Sequence, residues 1–413
     1  MRKVYLALVS AYLMGAWAVL PASPAKAATE ARPQPVLGEF IQIVVQGHPA
    51  LEAAQAALDA ARARARGQGR PLYNPELEVD YEDAEVRTKQ VGLAQTFDWS
   101  GKRSARADVA QAEVTAAEAT YDIARKSLLT ELLTGLAEHQ ARLDVFQLSK
   151  RRVELNYDFL GLAERRNRAG DLPKTQLLTA RLALAEAKVN RTTAQGDLAG
   201  ARENLVAIVG EKRSLWPRME GVPSQNPPPP DVARLEKLPE LRFARSQAQT
   251  FRSRIQVARK NRVPDPTLGV RYGEEGATSL LGLRLSIPLP IRNSFRAEVD
   301  AARADVIVAE QSYSDIYRRA EARLGTSHER YLAVAAAWKD WREGGAEPLE
   351  EQRLLLQRLW QAGEINAVDY LVQLNQTFAT EIASSELRGR LWSAWFNWLD
   401  ASGAVDEWVE NIQ

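Results

Sequence analysis

Glu76-Leu77-Glu78-Val79-Asp80-Tyr81-Glu82 alternates without a break: Leu77, Val79 and Tyr81 share one parity and four acids share the other. Only an extended strand places a period of two on opposite faces. The pattern returns three more times. Val91, Leu93, Phe97 and Trp99 share a parity, with Gln95 as the exception. Leu268, Val270 and Tyr272 alternate with Thr267, Gly269 and Arg271, and Leu281, Leu283, Leu285, Ile287 and Leu289 alternate with Gly282, Arg284 and Ser286. Four strands are expected, at 75–83, 88–99, 266–273 and 278–289. They are close to the roughly 9–11 residues with a dyad pattern that a membrane-spanning strand needs. The competing reading is a pair of soluble hairpins packed on helices.

The strand pairs belong to an internal repeat. His48-Pro49-Ala50-Leu51 returns as Leu238-Pro239-Glu240-Leu241, and Asn74-Pro75-Glu76-Leu77 as Asp265-Pro266-Thr267-Leu268. Val91-Gly92-Leu93 returns as Leu281-Gly282-Leu283, and Arg168-Ala169-Gly170-Asp171-Leu172 as Gln361-Ala362-Gly363-Glu364-Ile365. The offsets are 190, 191, 190 and 193, in the same order along the chain. The expected plan is a first repeat over 28–210, a linker over 211–231 with Pro227-Pro228-Pro229-Pro230, a second repeat over 232–398 and a tail over 399–413. A polyproline run is stiff and extended and cannot be helix.

Around the strands the residues are helix formers. Each repeat opens with an alanine-rich helix, about Leu37–Arg66 and Val232–Lys260. A long segment follows each hairpin: Ser104 to about Asn167, and Ala297–Trp360, where Pro348 marks a candidate kink. Each is about 65 residues, or about 100 Å as helix. Shorter helices follow, Leu172–Ile208 and Ala367 to about Trp395. In each repeat the two shorter helices add up to nearly one long one. That fits a cylinder wall of one full-length helix beside two stacked end to end, with a belt of linker and C-terminal segments at the break.

Composition closes off other chemistries. The chain of 413 residues has no cysteine, and its histidines, at 48, 139 and 328, lack metal-ligand spacing. No cofactor loop or catalytic constellation stands out, so neither an enzyme nor a cofactor is expected. Arg2 and Lys3 precede an apolar run, Val4 to Leu20, and Ala25-Lys26-Ala27 follows, which reads as a signal peptide over 1–27 without a lipid anchor. Its removal would take the net charge from +1 to about −2, with no basic field for nucleic acid. No later apolar run reaches the ~20 residues of a spanning helix, so any crossing would be made by β-structure.

These features together resemble the TolC-type outer membrane factor (outer membrane efflux protein) family. Within it they are most similar to the outer membrane subunits of cobalt-zinc-cadmium type heavy-metal resistance systems driven by RND transporters. The resemblance is carried by Asn74-Pro75-Glu76-Leu77, by Gln95-Thr96-Phe97-Asp98-Trp99-Ser100-Gly101-Lys102-Arg103, by Ser286-Ile287-Pro288-Leu289-Pro290-Ile291-Arg292-Asn293 and by both Ala-Gly-(Asp/Glu) turns. It implies a mainly α fold of long coiled helices. Three copies would build an α-barrel and complete a twelve-stranded β-barrel in outer membrane lipid. It also implies a periplasmic adaptor and an inner membrane RND-type transporter as partners, and a passive exit duct for divalent metal cations. Export of drugs or organic solutes, and a non-channel periplasmic coiled-coil adaptor or structural protein, are the alternatives.

The resemblance also assigns candidate site residues. Gly170, Asp171, Leu172, Gly363, Glu364 and Ile365 would form periplasmic helix-to-helix tips that meet the adaptor. Asp171, Glu364 and Asp369 are candidates for acids at the pore entrance. Trp392, Trp395 and Trp398 share a helix face and are expected to pack in the equatorial belt.

Overall fold

A computed structural model describes residues 36–224 and 227–412. The expected signal peptide lies outside these residues. The strands are β1 (Glu76–Asp83), β2 (Arg87–Thr96), β3 (Thr267–Glu275) and β4 (Thr278–Ser286). They form one antiparallel sheet in the order β1-β2-β3-β4, so the repeats join through β2 and β3. The register aligns Leu77, Leu93, Val270 and Leu283 in one row, and Val79, Val91, Tyr272 and Leu281 in the next. Among the described residues no element covers this apolar face: Leu281 is 74% and Leu283 85% exposed. The other face carries Glu78, Gly92, Arg271 and Gly282 in a row between the two apolar ones.

Two strands stop short of the alternation in the sequence. β2 ends at Thr96 rather than Trp99, and β4 at Ser286 rather than Leu289. Pro288 and Pro290 have no N–H to give a ladder. Trp99 turns its indole N–H to Pro264 O instead, at 2.8 Å. β3 runs on to Glu275, beyond the expected 273, because Gly276-Ala277 suffices as the turn, with Gly276 at φ 60°.

The helices make a long shaft. α1 (Leu37–Gln46) and α2 (Pro49–Gln68) precede the first hairpin; α3 (Lys102–Ala169) and α4 (Lys174–Val209) follow it. A short 3₁₀ turn, Val232–Lys237, leads into α5 (Pro239–Asn261). After β4 come α6 (Arg296–Gly344), α7 (Ala346–Ala362), α8 (Ala367–Ser402) and α9 (Val405–Asn411). α3 is unbroken over 68 residues, about 100 Å, and packs against α2, α4, α5 and α8.

Several boundaries differ from the sequence reading. The single helix expected over Leu37–Arg66 is cut at Gly47-His48, and the one over Val232–Lys260 at Leu238. Pro49 and Pro239 each sit at a helix first position, where the missing N–H is no loss. His48 then serves two helices: Nδ1 accepts from Ala50 N at 3.2 Å, and Nε2–H donates to Ile208 O at 3.1 Å. It thus pins the start of α2 to the end of α4 beside α3. The second long helix breaks at Gly345, not at Pro348, which occupies the tolerant first turn of α7. Within the expected tail, α8 continues to Ser402, and α9 buries Val405 and Val409. A left-handed Gly403 makes that reversal.

The largest core sits at the waist, beside the break at Gly47-His48 and the reversal at Gly403. It gathers Phe40 and Ile41 of α1, Leu129 to Leu136 of α3, Leu205 of α4, Trp216 and Met219 of the linker, and Tyr331 of α6. Trp392, Trp395, Phe396 and Trp398 of α8 fill the rest, with α9. Gln140 clips the linker here, accepting from Met219 N at 2.8 Å and donating to Met219 O at 3.4 Å. Lys126 is buried beside Asp400, with Nζ 3.5 Å from Oδ1, and also pairs with Glu240; Arg323 closes on the other oxygen of Asp400.

Candidate functional site

Two places in this fold carry chemistry that packing does not explain: the helix tips farthest from the sheet, and the surfaces facing away from the waist core. At the first tip Gly170 lies at φ 86°. Its N–H donates to Asn167 O at 3.1 Å, and Asp171 N–H donates to Arg166 O at 2.9 Å. At the second, Gly363 lies at φ 77°, its N–H donates to Trp360 O at 3.2 Å, and Glu364 N–H donates to Leu359 O at 3.0 Å. Both are Schellman closures, which satisfy the last carbonyls of a helix and need a left-handed residue. Asp171 and Glu364 therefore finish the preceding helix. Neither lies in the first turn of the next, since α4 starts at Lys174 and α8 at Ala367.

The tips form one unit. Leu172 is buried and Ile365 is partly buried in a single cluster with Phe159, Leu177, Leu356, Trp360 and Tyr370. Phe159, Trp360 and Tyr370 stack with ring centroids 4.7–5.2 Å apart. Arg166 spans the two hairpins: its guanidinium lies 4.6 Å above the Trp360 ring and donates to Trp360 O at 3.4 Å. Higher up, Arg152 Nη2 donates to both Glu186 Oε1 and Asn375 Oδ1 at 2.8 Å, tying α3 to α4 and α8.

The three candidate entrance acids, Asp171, Glu364 and Asp369, are all exposed. Asp369 sits in a cap: Asn366 Oδ1 accepts from Val368 N at 3.0 Å and from Asp369 N at 2.9 Å, while Asn366 Nδ2 donates to the Asp369 carboxylate. The sequence reading missed Asn366, although Asn followed three residues later by an acid is a helix-start signal. It also missed Arg166, which nothing in the run Arg165-Arg166-Asn167-Arg168 singles out.

On the side of α3 opposite the waist core lies a groove of about 1070 Å³ between α4 and α6, floored by α3 and α8. Glu138, Arg142, Arg330, Glu386 and Arg390 line it. Arg142 lies 3.6 Å from Asp197 and Arg390 3.2 Å from Glu386, so this wall is charged but largely self-paired. Among the described residues no group of three or more His, Asp or Glu is placed to hold a metal ion. Also among them, no helix is long and apolar enough to cross a membrane.

The chain is a long helical shaft that ends in a four-stranded sheet, apolar on one face and charged on the other. The outer membrane efflux protein family model matches residues 40–211, from within α1 to just past the end of α4. The chain is similar to that family over this stretch. It is 26% identical over 328 residues to the nickel-cobalt-cadmium resistance protein NccC of Alcaligenes xylosoxydans, covering 76% of this chain and 74% of that one. It is 23% identical over 349 residues to the pyoverdine export outer membrane protein OpmQ of Pseudomonas putida, covering 78% and 71%. The crystal structure of the transmembrane channel CusC superposes with a TM-score of 0.76 at 16% identity, over 89% of this chain and 92% of that one.

Proposed function

We propose that three copies of this chain form the outer membrane exit duct of a tripartite efflux system, and that its cargo is divalent heavy-metal cations. The observation that carries the duct is the sheet. Among the described residues its apolar face is bare, and its outer strands β1 and β4 have no neighbour. Unpaired strand edges are not tolerated in lipid, and a four-stranded sheet is too narrow to close on itself. Joining β4 of one copy to β1 of the next in a ring of three removes every edge and gives twelve strands. The apolar rows then face lipid, and Glu78 and Arg271 face the lumen. In the shaft the groove at the waist faces the same lumen, while the linker and α9 lie outside.

In this reading the duct has no energy source of its own; an inner membrane RND-type transporter supplies the drive through a periplasmic adaptor. The adaptor meets Gly170, Asp171, Leu172, Gly363, Glu364 and Ile365 at the tips. Asp171, Glu364 and Asp369, each present three times, make an acidic entrance. Similarity to a nickel-cobalt-cadmium resistance protein supports the metal cargo. Similarity to a pyoverdine exporter favours an organic solute as the second reading. Deleting the gene separates them. Sensitivity to cobalt, nickel, zinc or cadmium is expected; unchanged metal tolerance with loss of organic solute export would overturn the metal assignment and keep the duct.

A further inference from the structure

The charged face of the sheet holds an arrangement that the waist and tips do not use. Arg271 on β3 does not stand away from the sheet. Its Nε lies 3.5 Å from Glu78 Oε2 and its Nη1 3.7 Å from Asp80 Oδ2, so the side chain crosses β2 to reach β1. The residue of β2 directly in its path is Gly92, paired with both Glu78 and Arg271. A Cβ at Gly92 would come within 2.8 Å of Arg271 Cγ and 3.1 Å of Val270 O. Arg284 on β4 reaches the same carboxylate, with Nη1 3.5 Å from Glu78 Oε1. The register places Glu76, Glu82 and Glu275 on this face too.

We infer that Arg271 determines the charge selectivity of the duct's exit, and that Glu78, Asp80 and the bare Gly92 are the positioning residues that hold its guanidinium flat against the wall. This rests on the three-copy duct proposed above. Pinned to the wall, Arg271 and Arg284 of each copy are offset by Glu78 and Asp80, and Glu76, Glu82 and Glu275 of the same face leave the lumen favourable to cations. Lifted off the wall, three guanidinium groups would project toward the axis and oppose cation passage. A unit charge about 10 Å from an ion path in water changes the local ion concentration about twofold. Gly92 is thus a specificity device: it gives an arginine room to lie down without changing the charge count.

The test is the reversal potential of the purified full chain in planar bilayers under a potassium chloride gradient. Arg271→Gln should raise the potassium-to-chloride permeability ratio at least about twofold. Gly92→Ala, which alters no charge, should lower it by about the same factor and reduce conductance. In the Arg271→Gln background, Gly92→Ala should leave the ratio unchanged. Wild-type channels whose ratio neither single variant moves would overturn the inference. So would a Gly92→Ala effect of equal size with and without Arg271, which would mark a distorted sheet. A wild-type chain that makes no channels at all would instead remove the duct reading on which the inference stands.

Discussion

The waist and the tips of the shaft are held by different means. At the waist, segments from seven parts of the chain converge on one apolar core, and Lys126 and Asp400 form a buried ion pair. At the tips, two glycine reversals, one aromatic stack and one arginine do the work. The waist thus concentrates packing where several helices begin or end, so losses there spread to the whole chain. The tips concentrate shape, so losses there stay local. Fold and docking should therefore be separable by mutation.

The largest effect should come from the waist. Lys126→Met takes one partner from the buried Asp400 carboxylate, and breaking a buried pair costs about 3–5 kcal/mol. Thermal melting of the detergent-solubilised protein should fall clearly. An unchanged melting temperature would mean that Arg323 alone satisfies Asp400, and the contrast with the tips would weaken. At the tips, Gly363→Val must hold a β-branched residue at φ 77°, which costs about 1–2 kcal/mol. Its Cβ would also lie 3.3 Å from Arg166 Nη2. Gly170→Val carries the φ penalty alone, since nothing lies within 4 Å of its Cβ position. Both variants should melt near wild type yet lose efflux and adaptor cross-linking, Gly363→Val more severely. Equal melting losses at waist and tips would break the comparison.

Asn366→Ala removes the cap of α8 and should cost about 1 kcal/mol. Hydrogen exchange should rise at the first turn of α8 and nowhere near the waist. The smallest change is Asp369→Asn, which keeps Asn366 Oδ1 as acceptor for the helix N–H groups. Docking and melting should be untouched, and only the cation preference of the entrance should decline in bilayer recordings. A change in melting would show that this acid serves the helix rather than the pore.

The sequence showed most plainly what depends on side-chain periodicity. All four strands, the long helices and both left-handed glycines stand out, because a period of two and an isolated Gly between helical runs have few physical explanations. Breaks that depend on backbone hydrogen bonding were harder to see. Helix-compatible residues on both sides of Gly47-His48 hide the cut, although Pro49 marks it. Pro348 draws the eye, but its missing N–H is harmless in a first turn; the break falls at Gly345, where a Cβ would clash with the Trp341 ring. Arg166 and Lys126 were invisible because each is one basic residue among many, chosen by tertiary contacts three-dimensionally remote in sequence. Phe97, Trp99, Ile287 and Leu289 kept the strand rhythm beyond the point where the ladder ends, since alternation reports facing and not hydrogen bonds.

The central claim is that the open-edged sheet of one chain is a third of a closed barrel. Native mass measurement of the detergent-extracted, unheated particle tests it most directly. The account predicts a particle of three chains that loses its oligomeric mass only on heating. A particle of one or two chains, extracted from the membrane under the same conditions and stable as such, would contradict it.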